Sequence, residues 1–372
     1  GNGRMGQRAN FEEHYSGNSL QGNYIAGIYY PDKTKVGWWK NGYPEYFAKV
    51  LNACNWIGID LEVDGVQLDL AKLKVIDFER VLDMQGGTLS RSFSVELEAG
   101  KILKVEAKRF LSLVDDEVGA IQYSITPLEF SGTAKIKPYL DFDVTNADAN
   151  WDDKFWEPVS QEVSDASGVV QSRTKKTGFE AAVAMQYVWT ENNKKISVSA
   201  KAEEKESYVA SAFESKIKEG HTYTLYKYAG VVSSLNYEAS ELSQKAKDAA
   251  VRVTKKGFKK MLQEHEVAWA TKWETSDIRI EGDVASQQGI RFNIFHLNQT
   301  FTGVDERLNI GPKGFTGEKY GGSTYWDTEA YCVPFYLATG EPGVAKNLLM
   351  YRYKHLQKAI ENAEKLGFTN GA

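Results

Sequence analysis

Cysteine is nearly absent, with Cys54 and Cys332 as the two thiols of 372 residues. Two thiols so far apart cannot build a disulfide framework, and they read as reduced, buried groups of a cytosolic protein. No apolar run approaches the roughly 20 residues a membrane helix needs, so no membrane partner is expected. Basic charge is not in excess: 45 Lys and Arg face 50 Asp and Glu, a net of −5, which argues against nucleic acid as a partner. The five histidines, His14, His221, His265, His296 and His355, are scattered without ligand spacing, and no metal site is expected. His296 and His355 fall inside helical patterns, where hydrogen-bonded packing is the simpler role. Neither a G-x-S-x-G elbow nor a P-loop occurs. The opening "GNGRMG" does match G-x-G-x-x-G, but no strand precedes it and "QRANFEEHYSG" gives no βαβ pattern, so no dinucleotide cofactor is expected. "NQT" at Asn298 fits the glycosylation pattern but lies in a helix read as buried.

Aromatic rings, by contrast, are abundant, with 9 Trp and 20 Tyr. Pyranose faces stack on such rings, and a large β-rich core also consumes them, so abundance leaves both readings open. From about residue 58 to 235 the chain alternates with a period of two. "KIKPYLDFDV" sets Ile136, Pro138, Leu140, Phe142 and Val144 on one face and Lys137, Tyr139, Asp141 and Asp143 on the other. "AIQYSITPL" and "KKISVSAKA" repeat the pattern, and "HTYTLYKYAGVV" reads as a strand buried on both faces. Turn signals at Asp64, Gly86, Ser131 and Glu191 separate them. Many strands without intervening helical periods predict a large antiparallel sandwich.

Near residue 237 the period changes. Leu242, Ala246, Ala249, Ala250, Val253, Met261 and Leu262 recur at helical spacing, interrupted by Gly257, which predicts a helical linker in two pieces or with a kink. Beyond it Ile290, Ile294, Leu297 and Phe301 mark another helix, and residues 342–366 a further one, opened by Pro342 and stopped by Gly367. The Gly-rich connection "NIGPKGFTGEKYGGS" lies between them, and long irregular loops in compact domains tend to carry function. The chain opens without an initiator Met or signal peptide and stops at "GFTNGA" just after a helical pattern, as a fragment would.

Two stretches are candidates for chemistry. "YYPDKTKVGWWKNGYPEYF" at 29–47 is dense in rings and reads either as a sugar-lining loop or as packing at a domain interface. In "EKYGGSTYWDTEAYCVPFY", Asp327 and Glu329 are two apart, so they share a face on a strand and diverge on a helix. Neither arrangement opposes two carboxylates across a glycosidic bond. Gly321 and Gly322 permit a tight approach, after which Trp326 could stack a sugar face while Asp327 accepts hydroxyl hydrogen bonds. The competing reading makes Asp327 or Thr328 an N-cap and Trp326 core filler.

The string "FNIFHLNQTFTGVDERLNIGPKGFTGEKYGGSTYWDTEAYCVPFYLATGEPGVAKNLLMYRYKHL" closely resembles the disaccharide phosphorylases of glycoside hydrolase family 65. "GNGRMGQRANFEEHYSG" and "YIAGIYYPDKTKVGWWKNGYPEYFAKVLNACNWIGID" resemble its maltose phosphorylase branch. The resemblance implies a super-β-sandwich (1–236, truncated at its start), a helical linker (237–284) and the beginning of an (α/α)6 catalytic barrel (285–372). It also implies that Trp326 and Asp327 hold the glucosyl ring, with Lys313 and Glu318 of the preceding loop near the pocket; the roles of Lys313, Glu318 and Glu329 are left unassigned. The reaction implied is inverting phosphorolysis of maltose, or of kojibiose, nigerose or trehalose on the same scaffold. Trehalose hydrolysis and non-catalytic sugar binding are the alternatives. Inorganic phosphate would be the co-substrate, with no metal or organic cofactor, and the family's cytoplasmic location and common homodimers would carry over. The family's general-acid Glu sits in a Cys-His-Asn-Glu-Trp-Glu segment, matched nowhere up to Ala372. By that comparison these residues hold no catalytic acid, and alone they are expected to be inactive and poorly folded beyond residue 285.

Overall fold

The computed structural model describes residues 1–33, 46–98, 100–148, 154–311, 313–315, 318 and 324–369. Residues 34–45, the centre of the ring-dense stretch, lie outside them, as do Gly321 and Gly322. The chain divides into two compact units, one of Gln7–Asn23 and Asn52–Thr271, the other of Gly1–Gly6, Tyr24–Leu51 and Lys272–Ala372.

In the first unit the period-two segments form two antiparallel sheets. The larger has nine strands, eight of them in the order Trp156–Ser164, Ser167–Thr174, Glu180–Glu191, Tyr223–Ser233, Val118–Pro127, Ile102–Leu111, Thr88–Glu96 and Lys74–Asp83, with Lys194–Lys195 beside Glu180–Glu191. The smaller has five, in the order Lys201–Lys205, Tyr208–Ile217, Gly132–Asp141, Ile59–Val63 and Val66–Gln67. Alternation puts Ala134, Ile136 and Leu140 into the core, as the sequence predicts. Tight turns follow the glycine and asparagine signals: Asp64, Gly65, Asn192 and Asn193 all take positive φ. "KKISVSAKA" is the exception. Residues 196–200 are not strand: Ile196, Val198 and Ala200 are half-buried between exposed serines as the alternation predicts, but the segment between Lys194–Lys195 and Lys201–Lys205 joins no ladder.

The helical linker packs on the larger sheet. Helix α1 (Leu242–Lys256) buries Leu242, Ala246, Ala249, Ala250 and Val253, one stripe at i, i+4, i+7, i+8 and i+11. That stripe meets Val169, Ala182, Ala184 and Val232 at one end and Phe110, Val118, Ala120 and Tyr228 at the other. Gly230 lets the helix lie directly on its strand, since a Cβ there would come within 2.3 Å of the Ala246 carbonyl. Gly257, with φ +81°, separates α1 from α2 (Phe258–Ser276).

Two polar features interrupt this apolar interior. Lys227 has no solvent exposure and donates to the carbonyls of Gly58 at 2.8 Å and Tyr139 at 2.7 Å, bridging from the larger sheet to the chain of the smaller one. Burial pulls its ammonium down to about 7. Near the start of the unit, Glu12 and Glu13 are buried against Arg91 and Arg109. Arg91 makes a two-pronged bond to Glu13, both contacts 2.5 Å, and Arg109 also donates to the carbonyls of Asn10 and Arg8. Burial favours the neutral acid at Glu12, but Arg109 and Arg91 outweigh it and hold the carboxyl below its ordinary range.

The second unit is mainly helical. Helix α3 (Val284–Thr300) starts at Asp283, whose carboxylate accepts from the amides of Ala285 at 3.0 Å and Ser286 at 3.1 Å. It buries Ile294, Phe295, Asn298 and Gln299, so the "NQT" asparagine is indeed inside a helix. After a five-residue π-helical turn, Thr328–Cys332, come α4 (Val333–Thr339), α5 (Pro342–Lys354) and α6 (Leu356–Lys365). The single helix read for 342–366 is therefore two. It breaks at His355, whose ψ of 11° leaves the helical range while its ring stacks on Tyr351 at 4.3 Å. Phe301, Leu308, Ile310, Val333, Tyr336, Ala345 and Leu348 form the apolar cluster of this unit. The strand pair Tyr29–Lys33 and Tyr46–Val50 also belongs to this unit. "GNGRMG" leads into the three-residue strand Met5–Gln7 with no helix behind it, so the dinucleotide pattern has no Rossmann setting. Among the described residues no helix is long and apolar enough to cross a membrane.

Candidate active site

The connection after α3 leads to Thr324 and the motif Trp326-Asp327-Thr328-Glu329. The backbone there is tightly wound: the Thr328 amide donates to Tyr325 O at 3.3 Å and the Ala330 amide to Trp326 O at 3.0 Å. The turn then widens to π geometry, with the Val333 amide bonding the Thr328 carbonyl five residues back. Pro334 follows immediately and has no N–H to give a regular i→i−4 bond, so local chemistry favours an irregular turn here.

The four motif side chains diverge. Thr328 is buried, facing the Ile310 carbonyl at 3.4 Å. Glu329 turns to Arg352 of α5, which grips it with Nε at 2.7 Å and Nη2 at 3.1 Å. Trp326 is 68% exposed, its ring 6.1 Å from that of Tyr331, itself 67% exposed. Asp327 is also exposed, and its carboxylate has no hydrogen-bond or ion-pair partner among the described residues. Hence Trp326 does not fill the core, and Asp327, which occupies the N-cap position, makes no side-chain capping bond. An open indole beside a free carboxylate can stack on an apolar ring face and accept from hydroxyls along its edge.

Other sequence candidates are placed differently. Glu318 is buried, whereas Lys313 is exposed. His296 Nδ1 lies 2.6 Å from the Gln299 amide and His355 Nδ1 lies 2.7 Å from the Tyr351 carbonyl, both packing arrangements. Cys54 is buried, and burial raises its thiol well above the ordinary range, while Cys332 is half-buried. No group of three or more His, Cys, Asp or Glu able to hold a metal occurs among the described residues. Sequence reading missed two residues. Tyr331 widens the ring surface beside Trp326, and Arg352 grips the motif. A signal for Arg352 existed, since Ala345, Leu348 and Arg352 stand at i, i+3 and i+7, so the cation shares the buried face of α5.

The architecture is thus a large antiparallel sandwich followed by a helical linker and a helical unit that presents exposed rings beside a carboxylate. The profile of "Glycosyl hydrolase family 65, N-terminal domain" matches residues 1–272, and that of the "Glycosyl hydrolase family 65 central catalytic domain" matches residues 291–372. The chain belongs to glycosyl hydrolase family 65. It is 45% identical to maltose phosphorylase of Bacillus subtilis (strain 168), over 98% of this chain and 48% of that protein. To alpha,alpha-trehalose phosphorylase of Thermoanaerobacter brockii it is 35% identical, over 98% of this chain and 48% of that one. A solved structure from the human microbiome, provisionally described as a kojibiose phosphorylase, superposes with a TM-score of 0.88 at 28% identity, covering 99% of this chain and 47% of that one. The chain thus spans about half the length of the curated relatives it matches.

Proposed function

We propose that this chain is part of a disaccharide phosphorylase that cleaves maltose with inorganic phosphate, inverting the anomeric centre to give β-glucose 1-phosphate and glucose. The observation that carries the maltose reading is the gap in identity, 45% to a maltose phosphorylase against 35% to a trehalose and 31% to a kojibiose phosphorylase. In this reading the chain is organised as a sandwich over 1–236, a linker over 237–284 and the first barrel helices over 285–372.

Trp326 stacks on the glucosyl ring and Asp327 accepts from its hydroxyls, which fits a carboxylate with no partner among the described residues. Phosphate attacks the anomeric carbon, so no carboxylate is needed as a base to activate water, and one carboxylic acid protonates the departing oxygen. We assign none of the residues up to Ala372 as that acid, so these 372 residues alone are expected to be inactive. No metal or organic cofactor enters this scheme, and a cytoplasmic homodimer is the setting proposed for it.

Products from maltose, with and without phosphate, test the reading in the full-length protein. Glucose together with β-glucose 1-phosphate, strictly phosphate-dependent, is the expected result. Glucose alone would make the protein a hydrolase. Phosphorolysis of trehalose or kojibiose in preference to maltose would move it to another branch, and no turnover of any of these would leave a sugar-binding protein.

A further inference from the structure

We infer that Arg352 is the positioning residue of the sugar grip, holding Trp326 and Asp327 in their pose through contacts on both sides of the pair. The inference rests on the reading of those two residues as sugar-binding. Its basis is the distribution of one guanidinium's hydrogen bonds. Nε and Nη2 take the two oxygens of Glu329, Nη1 donates to Thr324 Oγ1 at 2.7 Å, and Nη2 also donates to the Tyr325 carbonyl. Residues 324 and 325 precede the pair and Glu329 follows it, so a single planar group closes the loop that presents it.

Nothing comparable holds the pair itself. Trp326 has the Tyr331 ring beside it, tilted by 42° with centroids 6.1 Å apart, and Asp327 has no polar side-chain contact among the described residues. Two exposed side chains on an irregular turn would otherwise sample several orientations. The π turn of Thr328–Cys332 adds a second reason, because its wider hydrogen-bond register does not constrain the preceding residues as a regular helix would. Arg352 supplies the missing constraint from a rigid element, since Ala345 and Leu348 on the same face of α5 are fixed in the apolar cluster. A Lys would not substitute, as an ammonium lacks the fork that meets three separate acceptor groups in one plane.

Stability is not the main consequence of these bonds. The Arg352 and Glu329 side chains are 32% and 31% exposed, and ion pairs so open to solvent contribute little to folding. The Arg291–Asp277 pair is a suitable comparison, being similarly two-pronged at 2.7 and 2.8 Å and partly exposed, with Arg291 on α3 and Asp277 just past α2 in the same unit.

The experiment compares R352Q, R352K, E329Q and R291Q with W326A and D327N in the full-length protein. It measures KM for maltose, KM for phosphate, and the thermal midpoint. W326A and D327N are expected to raise the maltose KM about tenfold or more, and R352Q to do the same, since small misplacements of binding groups have large effects. R352K should recover only part of the loss and E329Q should fall between. The KM for phosphate and the thermal midpoint should stay near wild type throughout, and R291Q should change neither KM. If R352Q misfolds, Thr324→Val removes one acceptor while keeping the ion pair, and a raised maltose KM there still supports the inference. A maltose KM for R352Q no higher than for R291Q, while W326A and D327N lose affinity, overturns the positioning role alone. Unchanged affinity in W326A and D327N overturns the sugar grip itself. A rise in both KM values together with a lower thermal midpoint marks Arg352 as merely structural.

Discussion

Replacing Lys227 by Met should change how the stability of the sandwich depends on pH, and the effect can be worked from the structure. Lys227 is fully buried, and its ammonium titrates near 7 instead of the usual 10.5. In the unfolded chain the amine is protonated up to about 10.5. Between the two values the unfolded state binds more protons than the folded one, so stability rises with pH across that window and falls as pH drops from about 10.5 toward 7. The full shift corresponds to roughly 5 kcal/mol, and the portion between pH 9 and pH 7 to about 2 kcal/mol. Met fills similar space and cannot titrate. It also leaves the Gly58 and Tyr139 carbonyls without their donor, at roughly 1–3 kcal/mol each, but that penalty does not depend on pH. The difference between variant and wild type therefore separates the two effects. Urea unfolding followed by tryptophan fluorescence at pH 7, 8 and 9 should show the variant gaining about 2 kcal/mol relative to wild type as pH falls. Ionisation of Cys54 in the unfolded state is common to both proteins and cancels. A constant difference between the two across this range would refute the argument, meaning that water reaches the ammonium or that the lysine is not held between those carbonyls.

Two further perturbations follow from the same unit. His265 accepts from the Leu113 amide at Nδ1 (3.1 Å) and faces the Gly87 carbonyl through Nε2 (3.0 Å), which sets the neutral Nε2–H tautomer; burial lowers it to about 4. Its unfolded value is near 6.5, so stability should fall between pH 6.5 and 4 by up to about 3 kcal/mol, and an acid titration of His265→Gln should lack that share of the loss. Arg91→Met strands Glu13 and weakens the hold on Glu12 in a buried site, and denaturant unfolding should report a loss of about 3–5 kcal/mol; a loss under 1 kcal/mol would mean that solvent enters the cluster.

How far the sequence could be read depended on what each feature needed from distant parts of the chain. The strands and α1 were legible because their signal is a burial period, and a core on one side enforces that period locally. Ile136 and Leu140, or Ala246 and Ala250, point inward whatever lies further along the chain. In "KKISVSAKA" the alternation marks burial correctly, with Ile196, Val198 and Ala200 half-buried, but a strand also needs a partner's hydrogen bonds, and that partner is not written in those nine residues. The helix over 342–366 was misjudged for a related reason. His355 is an acceptable helical residue, and the break depends on its φ and ψ and its stacking on Tyr351. The ionic cluster was invisible because Glu12 and Arg91 are 79 residues apart, and "FEEHY" carries no mark of burial.

The candidate site divides in the same way. Trp326 and Asp327 stood out as residue types suited to a sugar, but their exposure could not be inferred, because an N-capping Asp with a buried Trp satisfies the same local pattern. What separates the alternatives lies 23 residues beyond Glu329, at Arg352. With Arg352 engaging Glu329 and the backbone before Trp326, the motif is braced from outside, and Asp327 is not needed as a cap. A carboxylate released from structural duty is free to bind something else. On the proposed reading, it is the Arg352 contact that leaves Asp327 available to a sugar hydroxyl.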